Sequence, residues 1–218
     1  MPASLSPSLS RSRALARGTF AAVAVFPVTV VVLNVVQLAD GYDAGRQAIS
    51  ELALGRGGWL MALAFSALAA GTFLLAALLR RTGGGVVAPL LLALAAPLSL
   101  VSAVFRTDPT GAAVTTHGEV HQAAGIATFV LMLAAMAVSS VRLRREPRWH
   151  GVVVPTFVLV LTGLVGFFLV PALGDARFGL AQRVLVGSFV TWMLVAAAGS
   201  PEVVVAVPEA PVSSGVPA

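Results

Sequence analysis

Two short stretches of this chain hold most of the side chains that can do chemistry. The first consists of Arg106-Thr107-Asp108 and Thr116-His117-Gly118-Glu119-Val120-His121. If Thr116 opens a helix, His117 and His121 stand at positions i and i+4 and share one face. Such a pair can bind a divalent metal with Asp108 as the third ligand, and a water molecule on a bound zinc ion would then be a nucleophile.

The same two histidines also have a structural interpretation. Their spacing is not the His-Glu-x-x-His signature of zinc hydrolases, because Glu119 lies between them on another face of the helix. Both rings can instead form hydrogen bonds at the membrane interface and hold helix ends together. The sequence favours this structural role, and it leaves a zinc site or a proton-transfer role open.

The second stretch contains Gln47, Ser50 and Glu51 at positions i, i+3 and i+4, so they share a face if this segment is helical. Ser50 is a candidate nucleophile, but it lacks the Gly-x-Ser-x-Gly elbow, and an N-cap or a hydrogen-bond donor is the expected role. Further along the chain, Gln182 and Arg183 form a third polar pair. An arginine near the end of a membrane span either extends its charged group toward the membrane surface or pairs with an acid. Glu51 and Asp108 are the candidate acids for Arg183.

The elements that must position these residues are membrane spans. The chain has 218 residues, of which 58% are hydrophobic and only 11% charged, and its mean hydropathy is +0.94. A soluble domain carries about 25% charged residues. Apolar runs of about twenty residues cross a bilayer as helices, and six such runs occur, at 18–39, 58–79, 86–105, 121–141, 152–173 and 180–198. The prediction is an all-α polytopic membrane protein, a bundle of six transmembrane helices.

The arginines predict the orientation of these spans. Nine arginines fall on the side of the N-terminus and of the second and fourth loops, and five fall on the opposite side. By the positive-inside rule both termini are cytoplasmic, and the polar stretches described above lie at the outer face. The predicted organisation is a polar N-terminal segment (1–17), a six-helix membrane domain (18–198) and a disordered C-terminal tail (199–218).

Composition excludes several classes of function. The chain has no cysteine, so disulfides and thiolate catalysis are excluded. Its net charge of +5 comes from arginines that flank spans rather than from one basic face, so the bilayer is the expected partner and nucleic acid is not. No protein partner is indicated. The absence of lysine and the abundance of Ala, Val, Gly and Arg are typical of GC-rich coding, which indicates a bacterial source and a multi-pass protein of the cell membrane.

Four short motifs resemble those of the prokaryotic membrane proteins known as the domain of unknown function 998 family. They are Ile49-Ser50-Glu51-Leu52, Phe105-Arg106-Thr107-Asp108, Thr116-His117-Gly118 with His121, and the stretch 179–183 with its Gln182-Arg183 pair. The resemblance covers about residues 18–198, and it implies a six-helix fold and no established activity. Arg106 departs from the family's Phe-Pro-x-Asp pattern, which puts the local turn in doubt more than the role of Asp108.

A set of Ser, Asp and two His in a membrane bundle also resembles, more weakly, a superfamily of membrane hydrolases that includes alkaline ceramidases. Those proteins have seven helices and a further histidine near the C-terminus, whereas this chain has no histidine after His150.

The sequence supports three hypotheses about function. The first is a membrane protein of uncharacterised role with a polar Asp/His/Arg cluster at its outer face, which includes Gln47, Glu51, Arg106, Gln182 and Arg183. The second is a zinc-dependent hydrolase acting on a lipid-like substrate. The third, a transporter, is disfavoured because no acidic residue lies in the middle of a span.

Overall fold

The structure, a computed structural model, describes residues 7–200, without the side chains of residues 7, 8 and 175. Its first four long helices are α1 (Pro7–Leu38), α2 (Trp59–Arg81), α3 (Val87–Val104) and α4 (Thr116–Arg142). Short 3-10 helices lie at Ile49–Ala53, Leu143–Arg145 and Pro147–Trp149. The described residues contain no strand. Of the predicted disordered tail, all but residues 199 and 200 lies outside the described part.

A sharp break divides the last helical stretch, His150–Ala198, into two spans. Gly174 has φ 53° and ψ −160°, and Arg177 has φ −139° and ψ 20°, so neither residue is helical. Gly174 adopts this conformation because it has no Cβ. The spans on either side are α5 (Pro147–Gly174), which includes the 3-10 turn that precedes His150, and α6 (Ala176–Ala198). Six described helices are therefore long and apolar enough to cross a membrane, as the sequence predicts.

The first helix begins earlier than the hydrophobic run that identifies it. The apolar run starts at Gly18, but α1 starts at Pro7 and includes the polar residues between. A helix satisfies its own backbone hydrogen bonds in water as well as in lipid. Ser12 and Ala16 are buried, so this polar extension packs against the bundle.

Small residues allow the helices to approach closely. A Cβ on Gly71 would lie within 2.5 Å of Val23 on α1, and one on Gly166 would lie 2.6 Å from the backbone nitrogen of Leu185 on α6. Lipid offers no hydrophobic drive for helix association, so packing of this kind holds membrane helices together. The most buried span is α6.

The helices close into a ring. Each of α1 to α4 packs against the next, and the α5–α6 stretch packs against both α4 and α1. Because consecutive spans alternate in direction, the loops at 39–58, 105–115 and 174–177 meet at one end, here called the polar end. The opposite end, here called the arginine end, includes the start of α1 and carries nine arginines: Arg11, Arg13, Arg17, Arg80, Arg81, Arg142, Arg144, Arg145 and Arg148.

Cysteine labelling tests which end faces outward. The chain has no native cysteine, and Ala112 at the polar end and His150 at the arginine end are both exposed. The positive-inside rule predicts that an impermeant maleimide labels Ala112→Cys in intact cells and labels His150→Cys only after permeabilisation. The reverse pattern would show that the arginine end is outside.

Candidate functional site

A cavity of about 750 Å³ runs into the bundle from the polar end. Side chains from all six helices line it. Its deeper part is apolar, with walls formed by Phe26, Phe65, Leu68, Phe129, Met132, Phe167, Leu185, Val186, Phe189 and Met193. Thr72 also lines the cavity and stands thirteen positions after Trp59, the first residue of α2, which is about 20 Å along the helix. The cavity therefore reaches past the middle of α2, which has 23 residues.

The mouth of the cavity is polar. Five of the residues singled out in the sequence line it: Ser50, Glu51, Asp108, His121 and Gln182. They come from four separate parts of the chain, and the topology brings them to one place. The other four candidates, Gln47, Arg106, His117 and Arg183, do not line the cavity.

Glu51 is the centre of a hydrogen-bond network between two loops. Its side chain is only 4% exposed, and its Oε1 accepts from the Ala48 backbone nitrogen (2.8 Å) and the Thr110 hydroxyl (2.6 Å). Its Oε2 accepts from the Thr110 backbone nitrogen (3.0 Å) and from Gln47 Nε2 (3.2 Å). A buried carboxylate is stable only when donors surround it, and these four bonds provide that environment. They also fix the α3–α4 loop against the α1–α2 loop.

The start of α6 is clamped to the same α1–α2 loop. Gln182 Oε1 accepts from the Ile49 backbone nitrogen (2.8 Å), and Arg183 Nη1 donates to the carbonyl oxygens of Gln47 (2.9 Å) and Gly179 (3.0 Å). Arg183 Nη2 donates to the hydroxyl of Tyr42 (2.6 Å). Gln47 therefore connects Arg183, through its backbone, to Glu51, through its side chain.

Arg183 is held by carbonyl and hydroxyl oxygens rather than by an acid. The one ion pair among the described side chains joins Arg56 to Asp40, at 3.6 Å, and both of these residues are exposed. The Arg183 guanidinium lies 5.7 Å from the centre of the Tyr42 ring, a distance that allows a cation–π contribution. Tyr42 in turn donates to the Ala48 carbonyl (2.7 Å). Burial raises the pKa of Tyr42 above its ordinary value, although Arg183 opposes this effect, so the hydroxyl keeps its proton at neutral pH.

Asp108 caps the first turn of α4 through Thr115. Its Oδ2 accepts from the Thr115 backbone nitrogen (2.7 Å) and its Oδ1 from the Thr115 hydroxyl (2.8 Å), which itself accepts from the Gly118 nitrogen (3.2 Å). The two bonds from Thr115 lower the pKa of Asp108 against a smaller opposing effect of desolvation, and the nearby His117 lowers it further. Asp108 is therefore an anion at neutral pH. A Cβ on Gly118 would overlap this carboxylate, so any larger residue there would displace Asp108 from its present position.

The two histidines both contact Phe105, the residue that ends α3. α4 begins at Thr116, as the sequence predicts, so His117 and His121 share a face. His121 is buried and its Nδ1 donates to the Phe105 carbonyl (2.8 Å), whereas His117 is exposed and its ring lies 5.2 Å from the Phe105 ring. These contacts join the end of α3 to the start of α4, through a hydrogen bond for His121 and a ring contact for His117.

The described residues contain no group of three or more His, Cys, Asp or Glu side chains placed to hold a metal ion. Asp108 directs both oxygens to Thr115, and His121 uses Nδ1 on Phe105. This geometry gives a zinc site of Asp108, His117 and His121 no support. Zinc, and with it the hydrolase hypothesis, stays a prediction from the sequence.

Two buried serines face the cavity without a hydrogen-bond partner in the described part of the chain. Ser50 is 6% exposed and lines the mouth, and Ser99 on α3 is also buried and lines the wall. Several other hydroxyls in the spans donate to the backbone of their own helix, as Thr72 does to Leu68 (2.8 Å). Two further buried hydroxyls of the spans have no partner in the described residues and do not line the cavity: Thr19 and Ser139. The hydroxyls of Ser50 and Ser99 thus remain available to a bound molecule.

Sequence reasoning missed three residues that build this site: Tyr42, Thr110 and Thr115. Tyr42 is the single tyrosine of a chain with eleven phenylalanines, and that contrast is a signal that could have identified it. Thr115 occupies an N-cap position, which is a local signal, but its bonds to Asp108 cross a loop. Thr110 binds a carboxylate 59 positions away, and no local pattern marks it. Arg106 is exposed and forms no hydrogen bond among the described residues.

Comparison with known proteins identifies a family. Residues 12–199 match a family model whose description is "Protein of unknown function (DUF998)". No curated protein and no solved structure shows significant similarity to the chain.

Proposed function

We propose that this protein, which belongs to the DUF998 family of proteins of unknown function, binds a membrane amphiphile. The family implies no activity, so the proposal rests on the geometry of the cavity. One observation carries this proposal, namely that a polar mouth and an apolar interior form a single continuous space. The polar group of the ligand would lie among Ser50, Asp108 and Gln182. Its hydrocarbon chain would extend between the phenylalanines below.

The size of the cavity suits this class of ligand. Ligand sites typically have volumes of about 300–1,000 Å³ and apolar walls with a few polar groups, and the cavity lies within that range. Each methylene group moved from water to an apolar site contributes roughly 0.8 kcal/mol. A ligand already dissolved in lipid gains less from the walls, so selection depends on the polar mouth.

The proposed route for the ligand runs from the bilayer between α4 and α5. Ile126 on α4 and Phe168 and Pro171 on α5 line the cavity and are also exposed, and so is Gln122, one turn before Ile126. An amphiphile that enters sideways here keeps its polar group at the level of the polar end.

Filling part of the cavity with a larger side chain tests the proposal. Gly125 lines the cavity, and a Cβ added there meets no atom within 4 Å, so Gly125→Phe is expected to fill space without a clash. Binding of radiolabelled dodecanol is measured to protein in phosphatidylcholine nanodiscs, after subtraction of empty nanodiscs. We expect saturable binding near one molecule per chain, and an affinity lowered at least about tenfold by Gly125→Phe (about 1.4 kcal/mol).

Gly187→Phe is the matched control. Gly187 is exposed on α6, also has no atom within 4 Å of an added Cβ, and does not line the cavity. It adds the same side chain to the lipid-facing surface and should leave dodecanol binding unchanged. Equal binding by the wild type and both variants would place the bound dodecanol outside the cavity and contradict the proposal.

A further inference from the structure

The charged residues that line the cavity are both acidic. Glu51 and Asp108 lie in the wall of the mouth, and within the described chain no arginine lines any part of it. Four arginines lie within two positions of a lining residue, but Arg183 is engaged by Tyr42 and backbone carbonyls, and the other three are exposed: Arg46, Arg106 and Arg177. In a chain with fourteen arginines and nine acids, this is the reverse of the overall charge balance.

We infer that the amphiphile bound in this cavity carries a positively charged amine at its polar end. This inference rests on the proposed function and specifies the class of its ligand. Glu51 is buried, whereas Asp108 is partly exposed to water. Two carboxylates at one mouth attract an ammonium group and repel a phosphate or a carboxylate by Coulomb interaction. An anionic lipid would have to enter that field without any lining arginine to neutralise it.

The two carboxylates have different parts in this selection. Glu51 already accepts four hydrogen bonds, so it contributes charge rather than a direct contact. Each oxygen of Asp108 accepts one bond from Thr115, which leaves further acceptor capacity on both. Asp108 is therefore the group that contacts the ammonium.

A second observation is independent of the acids. Ser50 is buried, lines the mouth and has no hydrogen-bond partner among residues 7–200. An ammonium has three donors and no acceptor. A hydroxyl oxygen with a free acceptor site in the same mouth as the two carboxylates matches that set of donors.

Competition among three amphiphiles with the same chain tests this inference. Dodecylamine, dodecanol and dodecanoate each displace radiolabelled dodecanol from the protein in phosphatidylcholine nanodiscs at pH 7.5. A charged hydrogen bond exceeds a neutral one by an amount that corresponds to roughly tenfold in affinity. We expect the amine to compete about tenfold better than the alcohol, and dodecanoate to compete about tenfold worse.

Two substitutions locate the source of this preference. Asp108→Asn should reduce the amine-to-alcohol ratio to about threefold or less (roughly one charged contact). The control Glu119→Gln removes an exposed acid that does not line the cavity, and it should leave the ratio unchanged. Because Asp108 also caps α4, Gln122→Arg provides a second test. Gln122 is exposed at the mouth and forms no hydrogen bond in the described part, so a positive charge there should lower the ratio while the fold is kept.

The outcomes separate this inference from the proposed function. Equal competition by all three amphiphiles would leave cavity binding intact and overturn the charge preference, and so would a preference for dodecanoate. If Gln122→Arg and Asp108→Asn both leave the ratio at the wild-type value, the acids of the mouth do not select the ligand. If dodecanol itself shows no saturable binding, the result contradicts the proposed function, and the charge preference that rests on it is contradicted as well.

Discussion

Replacing Glu51 with alanine is expected to lower the free energy of unfolding by about 3 kcal/mol. The substitution removes the acceptor for four donors, of which the Ala48 nitrogen is buried and cannot turn to water. It also releases Thr110, and with it the α3–α4 loop, from the α1–α2 loop. Glu51→Gln should lower the free energy of unfolding by less, because one acceptor oxygen remains for two of the four donors. Some loss is still expected, since the new amide NH2 group faces a backbone N–H donor.

Unfolding in mixed micelles with increasing sodium dodecyl sulfate gives the measurement. Trp149 and Trp192 are fully buried and report loss of packing by fluorescence. Glu119→Ala, which removes an exposed acid near the same end, is the control and should change stability by less than about 0.5 kcal/mol. A Glu51→Ala variant as stable as this control would show that the network does not hold the two loops together.

Gly179→Ala is expected to have a similar effect, of about 3 kcal/mol, from the addition of one methyl group. A Cβ on Gly179 would overlap the Gln47 carbonyl oxygen and lie 2.6 Å from that of Ala44. Both obstacles are backbone atoms, which cannot move without moving the loop. Their displacement would also weaken the bonds from the Gly179 and Leu180 nitrogens to the carbonyls of Arg46 and Gly45 (3.1 and 3.0 Å).

Gly187→Ala is the matched control on the same helix. Its Cβ would meet open space, and alanine has a higher helix propensity than glycine by about 1 kcal/mol, so stability should stay equal or rise. The same fluorescence titration compares the two variants. Equal stability of Gly179→Ala and Gly187→Ala would mean that α6 does not depend on the loop that it contacts.

The elements of this fold could be predicted from the sequence because the bilayer restricts them strongly. A run of about twenty apolar residues has one stable backbone conformation in lipid, and this identifies six spans. The start of α4 at Thr116 follows from local chemistry, since Thr115 is an N-cap. The break at Gly174 agrees with the predicted separation of the last two spans.

The pairing of polar groups could not be predicted in the same way. The sequence places Arg183 at the depth of Glu51 and Asp108, and pairing with an acid is then the simple expectation. The guanidinium instead lies on Tyr42 and the Gln47 carbonyl, which are 141 and 136 positions away. Which oxygen an arginine reaches depends on how α6 docks on a loop, and hydrophobic pattern does not encode that geometry.

The cavity is also a property of packing rather than of any segment. In the sequence, nothing distinguishes four of the lining phenylalanines from other apolar residues of their spans: Phe65, Phe129, Phe167 and Phe189. They form one wall only because the helices close into a ring. The polar mouth was accessible to sequence reasoning, whereas the apolar space beneath it was not.

Photolabelling with a dodecylamine that carries a diazirine at the end of its chain tests the central claim most directly. The protein is labelled in phosphatidylcholine nanodiscs, digested, and analysed by mass spectrometry for the modified residues. We expect labelling of four residues deep in the cavity: Phe129, Met132, Phe189 and Met193. Unlabelled dodecylamine should compete with this labelling, and Gly125→Phe, but not Gly187→Phe, should abolish it. Labelling confined to exposed lipid-facing residues such as Val28, Val31 and Val35, unchanged by Gly125→Phe, would contradict this expectation.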